Sequence, residues 1–361
     1  MNQFFGRKTI FFAVFISFLI PSCTTKESQP ESTEEDFFSN EISNPGTVHE
    51  GDTVLWTVAL TDSLHPLDSV IFSMDGKVVD ISDTLPYPIR LQTEGLPLGQ
   101  HLLTAEVVSQ GKSNQKTTAF TLMAQSAPQA FVAKAIRSYP HDPKLYTQGL
   151  EFVGNQLLMS GGQYGQSSIR LVDWKTGKVN LDRKLDASIF GEGCTVLDGK
   201  VYQLSWKELT CFIYDAKTLN PIGSFKYPRA IEGWGITNNG KELILSDGTN
   251  KLYFINPNNP TTVSKVVEVF SHEKMVDQLN ELEWVNGSIY ANVYMTDDIV
   301  GIDPQSGAVK SFIYAGGLLS EAEAENAEVL NGIAYNPATK TLFLTGKYWP
   351  KLFEVELAKG K

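Results

Sequence analysis

One short pattern returns five times between residue 148 and the C-terminus, and it constrains this chain more than anything else in the sequence. An amide or carboxylate is followed by Gly or Glu and then by an apolar residue that opens a strand: Gln148-Gly149-Leu150, Glu192-Gly193-Cys194, Glu232-Gly233-Trp234, Asn280-Glu281-Leu282 and Asn331-Gly332-Ile333. The copies stand about 40 to 50 residues apart, which is the period of a β-propeller blade. The second unit reads as four short strands, at 194–197, 201–206, 210–214 and 222–227. The third strands run into turns led by Asp173, Asp215, Asn256 and Asp303, where side-chain capping of the turn accounts for the residue type. The last unit, from Asn331, shows only three strands. Residues 131–138 are predicted to supply the fourth and close the ring, leaving only short protected edges.

The predicted fold class is therefore all-β, with a five-bladed β-propeller over 131–361. The innermost strand of a blade lines the central channel, so Gln148, Glu192, Glu232, Asn280 and Asn331 are expected round one mouth of it. Each taken alone is accounted for by hydrogen bonding to a turn backbone. Five together, all amide or carboxylate, predict a shared polar funnel.

Ahead of the repeats the chain changes character three times. Arg7 and Lys8 precede an apolar run at 9–20 that is short for a membrane span. The run ends at Ile20-Pro21-Ser22-Cys23, which resembles the lipobox of bacterial lipoproteins; residues 1–22 are then a signal peptide and Cys23 the lipidated residue. Residues 23–45 are polar and acidic, and read as a flexible tether. Apolar runs at 53–60, 69–74, 102–108 and 117–122, with turn signals between them, predict an immunoglobulin-like β-sandwich over 46–123. Small residues at 124–130 read as a linker.

Charge and residue type remove several function classes. Thirty Lys and Arg against 41 Asp and Glu give a net charge of −11, which argues against nucleic acid as a partner. The five His residues show no metal-ligand spacing, and there is no phosphate-binding loop, dinucleotide fingerprint or nucleophile elbow. Cys194 and Cys211 fall on the first and third strands of one blade, roughly 10 Å apart at the usual strand spacing, beyond disulfide reach. They are expected to be free and largely buried.

Further stretches follow in order along the repeats: Tyr139-Pro140-His141-Asp142-Pro143, Thr147-Gln148-Gly149-Leu150, Tyr164-Gly165 with Ser167-Ser168-Ile169-Arg170, and Phe190-Gly191-Glu192-Gly193. They continue through Gly233-Trp234-Gly235, Ser246-Asp247-Gly248, Leu279-Asn280-Glu281-Leu282-Glu283, Leu330-Asn331-Gly332-Ile333-Ala334 and Thr345-Gly346-Lys347. In these stretches residues of about 132–357 resemble the plant- and bacterial-type glutaminyl-peptide cyclotransferases. That family consists of five-bladed propellers that turn an N-terminal Gln into pyroglutamate and release ammonia.

That reaction needs a neutral α-amine as nucleophile and a protonated leaving nitrogen, and one carboxylate with a raised pKa can serve both steps. The resemblance implies that this is Glu192, with Gln148, Asn280 and Lys347 completing the catalytic set. It implies a substrate wall of Phe190, Trp206, Trp234, Tyr146 and Tyr294, with Glu232, Glu281 and Asn331 also at the substrate. No metal or other cofactor is implied. Tyr146 and Tyr294 stand where the family usually has Phe and Trp; Met159 and Ile231 also depart from its pattern. The expectation is a monomeric, lipid-anchored envelope enzyme acting on peptides or proteins with N-terminal Gln. The rival is a propeller that binds peptides without turning them over.

Overall fold

The structure, a computed structural model, describes residues 37–39, 44–61, 67–83, 87–228 and 231–360. Cys23 and the apolar run before it lie outside the described residues. Residues 37–361 form one compact unit.

Among the described residues the N-terminal part holds seven strands, three more than the apolar runs suggest. A five-stranded sheet is ordered Gly46–His49, Lys112–Met123, Gly99–Ser109, Ser69–Met74 and Lys77–Ser82, and a second sheet pairs Thr53–Val58 with Tyr87–Gln92. Alternation sets the faces: along Thr53–Val58, every second residue is buried. Trp56 and Phe72 meet edge to face with centroids 5.2 Å apart, and Leu103 and Phe120 complete a core shared by the two sheets.

Two boundaries differ from those read in the sequence. Phe37 and Phe38, inside the expected tether, are buried in the sandwich core, so the ordered fold starts before residue 45. The expected linker is not a free connection either. Ala124 is buried, its N–H donates to the Ser271 carbonyl at 3.2 Å, and a strand begins at Gln129. Phe270 and Ala308 of the repeat domain belong to the sandwich core, and the His49 ring bonds to the His272 carbonyl at 2.8 Å. Apolar contact on this scale makes the two parts one body.

The repeat domain is a ring of four-stranded antiparallel meanders. The blades span 147–184, 191–226, 236–268 and 279–314, and a fifth is built from Leu330–Asn336, Thr341–Gly346, Lys351–Lys359 and Gln129–Pro140. The first strands pack side by side in order, Thr147–Val153 to Gly191–Leu197 to Ile236–Asn238 to Leu279–Val285 to Leu330–Asn336 and back. The closing strand pairs antiparallel with Lys351–Lys359, as the three-strand last unit requires. Its first residues also run parallel to Val309–Tyr314 of blade four, which joins two blades into one eight-stranded sheet.

The acid-led turns are structural. Asp173 Oδ1 accepts the N–H groups of Lys175 and Thr176, and Asp215 and Asp303 repeat the motif. Cys194 and Cys211 are free and buried.

Candidate active site

Two sets of equivalent backbone positions build the site. The second residue of a first strand gives Gln148, Glu192, Asn280 and Asn331. In blade three the equivalent is Trp234 rather than Glu232. The Gly193 N–H donates to the Trp234 carbonyl at 2.8 Å, and a side chain at Gly235 would collide with the Asn280 carbonyl, so Gly235 takes the place that Gly193 has one blade earlier. Glu232 lies two residues out, level with Phe190. The second set follows the second strands: the N–H groups of Gly162, Trp206, Tyr294 and Lys347 donate to the carbonyls of Tyr146, Phe190, Gln278 and Val329 at 2.8 to 3.0 Å. At Gly162 a Cβ would run into the Phe190 ring and Gln148, so the missing side chain makes room for both.

These residues enclose a cavity of about 240 Å³ lined by Tyr146, Gln148, Gln163, Phe190, Glu192, Trp206, Trp234, Asn280, Tyr294 and Lys347. Nine of the ten were singled out from the sequence. Gln163 was not; it sits at φ 84° two residues past the second strand of blade one, and it precedes the Tyr164-Gly165 pair that carries part of the family resemblance. Three predicted residues do not line the cavity: Glu232 and Asn331 brace residues that do, and Glu281 holds the first strands together. Glu232 Oε2 accepts both indole N–H groups, from Trp206 at 2.7 Å and Trp234 at 3.2 Å. Asn331 Nδ2 donates to the Gln148 side-chain oxygen at 2.8 Å and to the Thr147 carbonyl at 3.0 Å. Glu281 accepts the backbone N–H groups of Leu150 and Ile333 at 3.1 and 2.9 Å, tying three first strands together.

Because Asn331 occupies the Gln148 oxygen, the Gln148 NH₂ is the end left for Glu192, with which it hydrogen-bonds. Glu192 is 5% exposed, and its carbonyl is held by the Ser160 hydroxyl, itself bonded by Gln203 at 2.8 Å. Burial holds the Glu192 carboxyl well above the ordinary range; nearby Lys347 pulls it down, and Glu232 and Glu208 push it up. Burial lowers the Lys347 ammonium to about 8, against the pull of Glu192 and Glu328. That ammonium lies 4.6 Å from the ring centres of both Tyr146 and Tyr294, so the aromatic faces at these departing positions still serve a cation. The walls are continuous: Phe190 meets Trp206 at 5.6 Å and Tyr146 at 6.1 Å, and Trp234 meets Tyr294 at 5.4 Å. Asn280 Oδ1 is sealed from solvent and has no protein partner.

The fold and site define a propeller with an acid–base pocket: a protonatable carboxylate, a cation of lowered pKa and an unused amide acceptor inside aromatic walls. A sequence-family profile described as glutamine cyclotransferase matches residues 101–357. The chain is 39% identical over 231 residues to glutaminyl-peptide cyclotransferase of Arabidopsis thaliana, covering 63% of this chain and 72% of that one. The crystal structure of Myxococcus xanthus glutaminyl cyclase is similar at a TM-score of 0.58 and 34% identity, over 65% of this chain and all of that one. The chain belongs to the glutamine cyclotransferase family, and is an enzyme of the transferase class.

Proposed function

We propose that this enzyme cyclises the N-terminal Gln of peptides or proteins to pyroglutamate with release of ammonia, and that Glu192 carries the protons. The observation behind the reading is one buried carboxyl of raised pKa, hydrogen-bonded by Gln148, in a cavity with room for a single glutaminyl residue. Glu192 takes a proton from the substrate α-amine as that nitrogen attacks the side-chain carbonyl carbon. The N–C bond forms, and the carbonyl electrons move to oxygen. As the carbonyl re-forms, the bond to the amide nitrogen breaks, and Glu192 returns the proton so that ammonia leaves.

Each remaining group has a role that fits its surroundings. Lys347, cationic below about 8, stabilises the charge that develops on the carbonyl oxygen. Asn280 Oδ1 is free to accept an N–H of the substrate. Both Trp indole donors are spent on Glu232, so Trp206 and Trp234 act as apolar walls rather than as donors. Excluding water there keeps Glu192 protonatable.

The reading extends to the N-terminus as part of the same proposal. The chain is a monomer held to the bacterial cell envelope through lipid on Cys23, with residues 1–22 removed, the following acidic stretch as tether and an immunoglobulin-like sandwich as spacer. Diacylation supplies the two-chain anchor that stable attachment needs. Two measurements test the proposal: ammonia release with conversion of a Gln-initiated peptide to the product lighter by one ammonia, and metabolic labelling with a fatty-acid probe. No turnover refutes the enzymatic part; a Cys23→Ser variant labelled like the wild type refutes the anchor.

A further inference from the structure

The cavity holds one glutaminyl residue, so the rest of a peptide substrate must leave through the mouth, and the groups just outside it have no role in the mechanism above. Tyr164 follows the lining residue Gln163, is 48% exposed, and sets its ring edge to face with Phe190 at 5.4 Å. Its hydroxyl donates to Glu208 Oε1 at 3.3 Å. The other oxygen, Glu208 Oε2, is sealed from solvent and accepts no hydrogen bond.

Among the described residues, Lys207 and Lys226 are engaged elsewhere. Lys207 places its ammonium 3.9 Å from the Trp206 ring centre. Lys226 donates to the Glu208 backbone carbonyl and to Thr210 Oγ1, each at 2.7 Å, rather than to the carboxylate. A carboxylate oxygen shut off from solvent, with no donor among the described residues, costs stability unless something arrives to use it. The charge of Glu208 also reaches the pocket, since it is among the influences that raise Glu192.

We propose that Tyr164 and Glu208 form the subsite for the residue that follows the substrate's N-terminal Gln, and that they favour a basic side chain there. This rests on the cyclotransferase reading of the cavity. An extended Lys or Arg crosses the exposed Tyr164 ring and delivers its cation to Glu208, combining a cation–π contact with a charge-assisted hydrogen bond. An acidic residue at that position meets Glu208 with like charge. A small neutral one gains neither contact.

The test compares three peptides that begin Gln-Lys, Gln-Ala and Gln-Glu and are otherwise identical, at low and high salt, with wild type and Glu208→Gln. Wild type is expected to favour Lys over Ala, and Ala over Glu, by about fivefold each in kcat/KM, the worth of a well-placed ion pair at a protein surface. The difference should lie in KM, because the subsite is remote from the reacting atoms, and it should shrink with salt. Glu208→Gln should bring the three peptides close together, and Tyr164→Phe, which keeps the ring, should keep the order Lys, Ala, Glu. Equal turnover of the three peptides by wild type, or the same preference in Glu208→Gln, overturns the subsite and leaves the cyclase reading standing. Failure of wild type to turn over any of the three overturns both.

Discussion

Replacing Glu232 with Ala probes the site without touching the cavity. One oxygen of this carboxylate accepts both indole N–H groups, at 2.7 and 3.2 Å, and fixes two of the five aromatic walls. Hydrogen bonds to a charged acceptor are worth roughly 1.5–3 kcal/mol each, so the loss of both costs about 3–6 kcal/mol before the rings relax toward water. Part of that falls on folding and part on catalysis. A loss of about 2 kcal/mol in transition-state stabilisation lowers kcat/KM by roughly thirtyfold. There is also a signed electrostatic effect. The negative charge of Glu232 is among the influences that raise the Glu192 pKa, so Glu232→Gln, which removes the charge and keeps one acceptor, should move the acid limb of the pH–rate profile to lower pH. Ammonia release followed across the pH range, beside urea unfolding of the same variants, separates the two effects. An acid limb that stays in place or moves up, or Glu232→Ala with wild-type kcat/KM and stability, would refute the brace.

Other expectations follow from the same geometry. Asn331→Ala frees the Gln148 amide to turn over and leaves the buried Thr147 carbonyl without its donor; activity should fall about tenfold or more, with a stability loss of roughly 1–3 kcal/mol, read as kcat/KM beside urea unfolding. Glu281→Ala leaves two buried backbone N–H groups without acceptors and should cost about 3 kcal/mol in urea unfolding, since each is worth roughly 1–3 kcal/mol. On the alkaline side activity should decline as Lys347, lowered to about 8 by burial, loses its proton; Lys347→Arg, which stays charged, should abolish that limb even if its rate is low. Phe38→Ala should cost about 3–5 kcal/mol by unfolding, which a residue in a free tether could not do.

Much of the fold was legible because each blade repeats a local code: alternating apolar residues, an Asp- or Asn-led turn, and a count of strands that left one place for residues before the first blade. The long-range consequences were less so. That the closing strand also runs alongside blade four depends on where the ring brings the chain, which no local pattern records. Phe37 and Phe38 sit in an acidic stretch whose composition says tether, and only the sandwich core explains their burial.

The site shows the same division. Gln148, Glu192 and Asn280 could be placed because each opens a strand at the channel. Glu232 stands two residues out of register because Glu232-Gly233-Trp234 imitates the repeat, whereas the register is fixed at Gly235, where a neighbouring carbonyl leaves no space for a side chain. That shift turned a presumed funnel residue into the anchor of two tryptophans. Gln163 escaped notice because its place in the wall comes from a turn at positive φ rather than from a strand pattern. Asn331 and Glu281 carry the right residue types, but which groups they brace is known only once the first strands are side by side.

The central claim is that the buried Glu192 carboxyl moves the proton from amine to leaving ammonia. Glu192→Gln keeps the size and a hydrogen bond to Gln148 and removes only the titrating group. With a Gln-initiated peptide at neutral pH, ammonia release by this variant should fall by about 10²-fold or more, the contribution usual for a positioned acid–base group, while peptide binding by calorimetry persists. Turnover within a fewfold of wild type would contradict the account.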